Sequence, residues 1–301
     1  MAQWESQKLK YNSQTGKYIH DTMVQVDRAG VIFARPIPGL TFDSDDTTID
    51  FNASGATQNY KIAEGIITGY QAIHRCGRIN LTPASTANEF LTIYDLAGQH
   101  LSYAIHDRAG LYNSGTGFNL TAVSSSSSDT GSIRLQGLDA NWDFLQEDVT
   151  LYGTVEGTKT TNKFIRLDKA FVQTAASGDT NIGVIDIYQD DNDSDGLFGR
   201  MEIGHAETFN AFYTVPRNKT GYITNMEVSS HTAVASSIYL FVQEFGGMMR
   251  ARHEMNIEKG QQSIEFPCAI KVPQKSDIEL RHKGPINSSV TASFDLIVVD
   301  N

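Results

Sequence analysis

Cysteine is nearly missing from this chain: its 301 residues hold two, Cys76 and Cys268. Two thiols so far apart make neither a disulfide framework nor a zinc site, whose ligands come in close pairs, so buried free thiols are the expectation. Positive charge is also short. Lys and Arg total 24 against 35 Asp and Glu, a net charge of −11, which argues against a nucleic-acid or anionic-membrane partner because both need a concentrated basic face. No stretch approaches the roughly 18 apolar residues of a membrane span. The opening "MAQWESQKLK" lacks the apolar core of a secretory leader, so none is expected. The Asn-x-Ser/Thr sequons at Asn52, Asn119, Asn218 and Asn287 then read as turn-rich sequence.

Catalytic signatures are scarce as well. "NSGTG" (113–117) does not fit the Gly-x-Ser-x-Gly elbow. "GTVEGTKT" (153–160) has its glycines too close for a phosphate loop, and the strand-like "NKFIRLDKAFV" that follows supplies no helix N-terminus. Of the eight histidines only His100 and His106 are near neighbours, at a spacing that suits neither a strand face nor a helical zinc pair. Carboxylates are too many for a glycosidase pair to be singled out. A non-enzymatic role is therefore expected.

What is present is β-rich punctuation. From "TMVQVDRAGVIFA" (22–34) onward, short alternating apolar runs are separated by Gly, Asn, Asp and Ser. "SIRLQGL" and "QEDVTLYGT" flank Asp139 and Asn141 as a hairpin, and "SSSSS" (124–128) reads as a polar hairpin loop. One short helix is expected in "STANEFLTIYDLAG" (85–98), opened by Ser85 and closed by Gly98. In "SFDLIVV" Phe294, Leu296 and Val298 share one face and Ile297 and Val299 the other, as in a strand buried on both sides. Strands every eight to twelve residues, without a 20–50-residue repeat, predict an all-β protein of two β-sandwich or jelly-roll-like domains with an N-terminal arm. The expected divisions are 1–21 for the arm, 22–125 for the first domain and 126–301 for the second.

"DDNDSDGLFGRME" (190–202) fits a calcium-loop template. Asp191, Asp193 and Asp195 take positions one, three and five, Gly196 makes the turn, Leu197 offers its carbonyl at seven, and Glu202 stands at twelve. Its flanks, "NIGVIDIYQ" and "AFYTV", read as strands where an EF-hand has helices. The alternative is an acidic, solvated hairpin tip, because the same residue types suit turns. Either way the loop joins two strands, and a bound Ca2+ would staple it rather than do chemistry.

Two further stretches bear on partners. "FGGMMRARHE" (245–254) joins a Gly-Gly to Arg250, Arg252 and two methionines, which suits an inter-subunit contact or a hairpin with a snorkelling face. Tyr112, Trp142, Tyr152 and Tyr188 are the aromatics to examine for a sugar platform, with core packing as the ordinary use of each.

The strings "GLDANWD" (137–143), "VTLYGT" (149–154), "YTVPRNKTGYIT" (213–224), "VPQKSDIELR" (272–281) and "FDLIVVDN" (294–301) resemble a family of β-rich proteins encoded by tailed bacteriophages, especially marine and cyanobacterial ones. The resemblance spans residues 65–301 and rests on turns and strands, so it points to no site. It implies a virion structural protein, made in the host cytoplasm and assembled as a homo-oligomer with phage capsid or tail proteins. Within that class the expectation is an exterior capsid decoration, cement or short head spike. A tail, neck or baseplate component, or an adhesin module for host surface glycan, is the alternative. In the family the loop after "NIGVIDIY" is short and less acidic, so the calcium pattern is local to this chain.

Overall fold

The computed structural model describes residues 62–80, 90–94, 116–175, 178–189, 197–285 and 287–301, together with the backbone of five short strands in the first 33 residues. The chain forms two compact units, Met1–Ala53 and Ser54–Asn301. In the first, β1 (Gln3–Trp4), β4 (Gln25–Val26) and β5 (Ile32–Phe33) form one small sheet, and β2 (Lys10–Asn12) pairs with β3 (Lys17–Ile19).

The second unit is all-β and holds two cores. Its strands are β6 (Tyr70–Asn80), β7 (Leu91–Thr92), β8 (Leu120–Ser124), β9 (Ser132–Leu138), β10 (Phe144–Thr150), β11 (Arg166–Thr174), β12 (Ile185–Gln189) and β13 (Leu197–Met201), followed by β14 (Phe212–Thr214), β15 (Lys219–Ser230), β16 (Ser236–Gln243), β17 (Met249–Ile257), β18 (Gly260–Val272), β19 (Asp277–Lys283) and β20 (Ser289–Asp300). One sandwich faces the sheet β18-β15-β20-β6 with the sheet β14-β19-β16-β17, to which β7 adds beside β19. The other faces β10-β9-β11 with β13-β12-β8. The chain thus enters the first sandwich with β6 and β7, builds the second whole, and returns to finish the first. The second sandwich is an insertion.

Period-two alternation produces these cores. In β20, Val290, Ala292, Phe294, Leu296 and Val298 are all buried, while Ile297 and Val299 between them are half-buried. The outer face of this strand is therefore not a second core face. In β9, Ile133 and Leu135 are buried and Arg134 and Gln136 pair with Asp148 and Gln146 on the solvent side. The hairpin β9–β10 forms in register from Phe144↔Leu138 to Thr150↔Ser132. Asp139 organises its turn by accepting from the backbone N–H groups of Asn141 (2.8 Å) and Asp143 (2.9 Å), and Trp142 takes a left-handed φ of 67° there.

The two sandwiches meet through a buried polar seam. Arg166 of β11 makes a two-point ion pair with Asp277 of β19, 3.1 Å at each contact. Thr214 Oγ1 donates to the same carboxylate at 2.6 Å, and the Thr214 backbone N–H donates to Asp168 at 3.0 Å. On β19, Glu279 pairs with Arg281 (2.9 Å) and accepts from Thr92. Burial pushes the Asp168 carboxyl up to about 7, against the opposing field of Arg75. Burial also raises Glu279. Charges taken this far from water persist because each has partners.

Three expectations need correction. A boundary at 125/126 would cut through the second core, and Tyr70–Asn80, assigned to the first domain, pairs along β20 from Ser289↔Asn80 to Val299↔Tyr70. The compact units divide at Ala53/Ser54, not at 21/22 or 125/126. The serine run does not close a hairpin: β8 pairs with β12 and β9 with β10 and β11, so Ser125–Ser128 cross between sheets. Buried Asp129 holds that crossing, accepting from Ser124 Oγ (2.6 Å) and from the N–H groups of Ile182 (2.9 Å) and Gly183 (2.8 Å). Finally, the described part of the expected helix is extended. Leu91 and Thr92 pair with His282 and Arg281, and Leu91 and Ile93 enter the core on one face. Residues 85–89 and 95–98 lie outside the described residues.

Candidate functional site

The four-stranded sheet β18-β15-β20-β6 carries a polar row across its outer face. His74, Asp295, Asn225 and Glu265 stand opposite one another, one from each strand. His74 Nδ1 lies 2.7 Å from Asp295 Oδ1, and Asn225 Nδ2 donates to Asp295 Oδ2 at 2.6 Å. The row exists because Thr224 is an extra residue in β15, a β-bulge that brings both Thr224 and Asn225 toward this face. On β18 the register passes from Glu265 to Ile270 across Phe266, Pro267, Cys268 and Ala269. A cleft of about 840 Å³ opens over the row, walled by Ile62, Ala72, Ile297, Phe266 and Pro267. Apolar walls around a few fixed polar groups are what small-ligand sites offer.

Hydrogen bonds to Asp295 and then to Cys76 push the His74 imidazole up to about 10, against partial burial. The same bond from His74 holds Asp295 below the usual carboxylate range. Cys76 lies two residues from His74 on the same strand face. Neither cysteine is fully buried: Cys76 is half-buried and Cys268, in the excursion of β18, is exposed. That corrects the expectation of two buried thiols. The His-x-Cys spacing was in the sequence, but its carboxylate lies 221 positions away, beyond the reach of local spacing.

His282 is the other histidine with hydroxyl neighbours. Its Nε2 lies 3.0 Å from Ser236 Oγ and 3.1 Å from Ser288 Oγ. It is fully buried, desolvation lowers it to about 4, and its Nδ1 has no partner. Without a group to orient Nδ1, it does not present the base of a hydrolytic triad.

Of the calcium-loop residues, Asp191, Asp193 and Asp195 lie outside the described residues, while Leu197 and Glu202 lie within them. The hairpin expected around the loop is present, β12 pairing with β13 from Ile185↔Met201 to Tyr188↔Leu197. Leu197 adjoins the loop. Glu202 follows the far end of β13, about 13 Å on at 3.3 Å per residue, and its carbonyl is held there by Asn181 Nδ2 (2.8 Å) and His205 N–H (3.1 Å). Two calcium ligands sit at most about 5 Å apart, so Leu197 and Glu202 do not share an ion. The chain continues as strand where an EF-hand bends into its second helix. Among the described residues no group of three His, Cys, Asp or Glu is placed to hold a metal.

The stretch 245–254 is the turn and first half of a hairpin, with Phe245 63% and Met248 78% exposed at its tip. Phe245 is nonetheless fixed in place. Trp142 meets it edge-on at 5.4 Å, the Lys275 ammonium sits 5.1 Å over its ring, and Arg166 lies 5.0 Å over Trp142. Beyond the tip, β17 and β18 are the outer strands of their sheets and have no further strand partner among the described residues. Both edges are blunted, β17 by a bulge at Arg252 and β18 by Pro267.

Of the aromatics expected to merit attention, Trp142 is used in that stack, Tyr188 donates to Asp186 (3.1 Å), Tyr152 is 54% exposed, and Tyr112 lies outside the described residues, as do His100 and His106. A polar cleft not foreseen, about 620 Å³, is lined by Tyr239, Ser237, Asn256, Glu258, Gln262 and Lys283.

No family model matches the chain and no curated protein matches it. Among solved structures it is similar to a chain from the infectious bursal disease virus Gx strain at 10% identity, covering 77% of this chain and 72% of that one with a TM-score of 0.22. It is similar to a chain of the cowpea mosaic virus top component, naturally occurring empty particles, at 8% identity, 62% and 82% coverage and a TM-score of 0.18. It is also similar to a putative secreted protein from Parabacteroides distasonis at 9% identity, 77% and 90% coverage and a TM-score of 0.18. Likenesses of this size carry no weight for role.

Proposed function

We propose that this chain is a virion structural protein of a tailed phage, made in the host cytoplasm and assembled as a symmetric oligomer on the capsid exterior as decoration, cement or short head spike. The observation that carries the assembly is the hairpin tip. Phe245 is largely exposed yet held rigid by Trp142 and Lys275, and an aromatic already ordered before contact forfeits little entropy on binding. Blunted β17 and β18 edges direct association through side chains rather than through sheet extension. The resemblance of residues 65–301 to phage structural proteins supports the virion setting. Sedimentation tests it: the wild-type chain is expected as a closed oligomer and the double variant Phe245→Ser, Met248→Ser as a monomer. A wild-type monomer at every concentration would overturn the assembly.

A second reading, a host-glycan module, is favoured by one observation. In the Tyr239 cleft Asn256 binds Ser237 through Oδ1 alone, and Glu258 and Gln262 line the same cleft beside the ring. Sugars are held by such amides and carboxylates next to an aromatic face. Silence on a glycan array would remove this reading. A tail, neck or baseplate position remains the other structural assignment.

A further inference from the structure

The His74 neighbourhood has a property that assembly does not call on. Asp295 binds His74 at Nδ1, 2.7 Å away, and is itself fixed by Asn225 at 2.6 Å. The ring's second nitrogen is left for Cys76, on the same strand face, whose thiol hydrogen-bonds the imidazole. A nucleophile, a base and a carboxylate that orients the base are thus joined in order. The other groups this face presents near them are Ser293 and Glu227 beside Cys76, Arg78 two residues along β6, and Glu265 at the end of the row.

We propose that Cys76 is an activated thiol that accepts an acyl group from an ester or thioester, with His74 as its acid–base partner and Asp295 as a positioning residue. The Cys76 sulfur attacks the carbonyl carbon, and a carbon–sulfur bond forms as the carbon–oxygen or carbon–sulfur bond to the leaving group breaks. The thiol proton, held by His74, passes to the leaving group. The product is a thioester on Cys76 and a free alcohol or thiol, so nothing is oxidised and no further reactant is needed. The cleft that His74 borders offers Ala72, Ile297 and Ile62 to a short apolar acyl chain. Position alone makes the neighbouring imidazolium favour thiolate over thiol.

The test uses p-nitrophenyl butyrate on the full chain carrying Cys268→Ser, with Cys76→Ser as the comparator in which only exposed Cys268 reacts. Butyrylation is mapped by mass spectrometry and p-nitrophenolate is followed from pH 6 to 8. The expected result is one butyryl group on Cys76, formed at pH 6.5 at least about tenfold faster than on Cys268, with a rate nearly flat across the range. An ordinary thiol instead speeds up about tenfold per pH unit below its pKa of about 8.5. His74→Ala should abolish the advantage, and Asp295→Asn should restore a rising pH profile while unaltered melting shows the fold intact. A Cys76 rate that climbs in step with Cys268, or no adduct on Cys76, would overturn the proposal. Because that comparison is made with His74 and Asp295 in place, it does not depend on how their variants fold.

Discussion

Arg166 and Asp277 meet in a two-point ion pair, both nearly excluded from water, where the inserted sandwich joins the sheet of the first. Removing one partner strands the other charge in a low-dielectric seam. Asp277→Ala or Arg166→Ala should cost about 3–5 kcal/mol in urea unfolding. A loss under about 1 kcal/mol would show that water reaches the seam.

The seam and the first core titrate in opposite senses. Asp168, raised to about 7 by burial, and Glu279, raised by the same cause, contribute stability that is present below the unfolded carboxylate pKa and is lost as pH rises toward 7. His282, lowered to about 4, contributes stability that is present above about 6.5 and is lost as pH falls toward 4. The wild-type profile between pH 4 and 7 should therefore be flattened. Asp168→Asn should become more stable with rising pH relative to wild type, and His282→Gln less stable with rising pH. Parallel profiles for all three proteins would contradict these shifts.

Gly77 sits in mid-β6, where an added Cβ would lie 2.3 Å from the Ile93 carbonyl and 2.6 Å from the Ala211 nitrogen. Both obstacles are backbone, so they cannot move aside as a side chain could. Gly77→Ala should destabilise by about 3 kcal/mol or more in chemical denaturation. Gly178→Ala, with open space around it but a φ of 75°, should cost only about 1 kcal/mol of backbone strain.

Glu202 belongs to the end of β13 rather than to the acidic loop. Glu202→Gln should leave the melting-temperature difference between millimolar calcium and chelator unchanged. If the substitution abolished a calcium-induced rise, Glu202 would have to fold back to the loop in solution.

Much of the fold was legible because strands announce themselves. Ile133 and Leu135 alternate with Arg134 and Gln136, and that period alone marks β9. "FLTIY" shows the same alternation, yet Ser85 and Gly98 suggested helix caps, and packing of Leu91 and Ile93 into the core overrode them. The insertion was not legible, since only pairing reveals that β6 belongs beside β20. For the same reason His74 and Cys76 could be seen together, whereas Asp295 and Asn225 could not be joined to them. The calcium template matched residue types, but a template cannot show that the chain leaves Leu197 extended.

The proposed virion role is tested most directly by labelling intact phage particles with antibody-gold raised against residues 130–301 and imaging them by electron microscopy. Gold distributed over the head is the expected result. Gold confined to the tail would move the protein to a tail or baseplate position, and unlabelled particles would contradict an exposed virion protein.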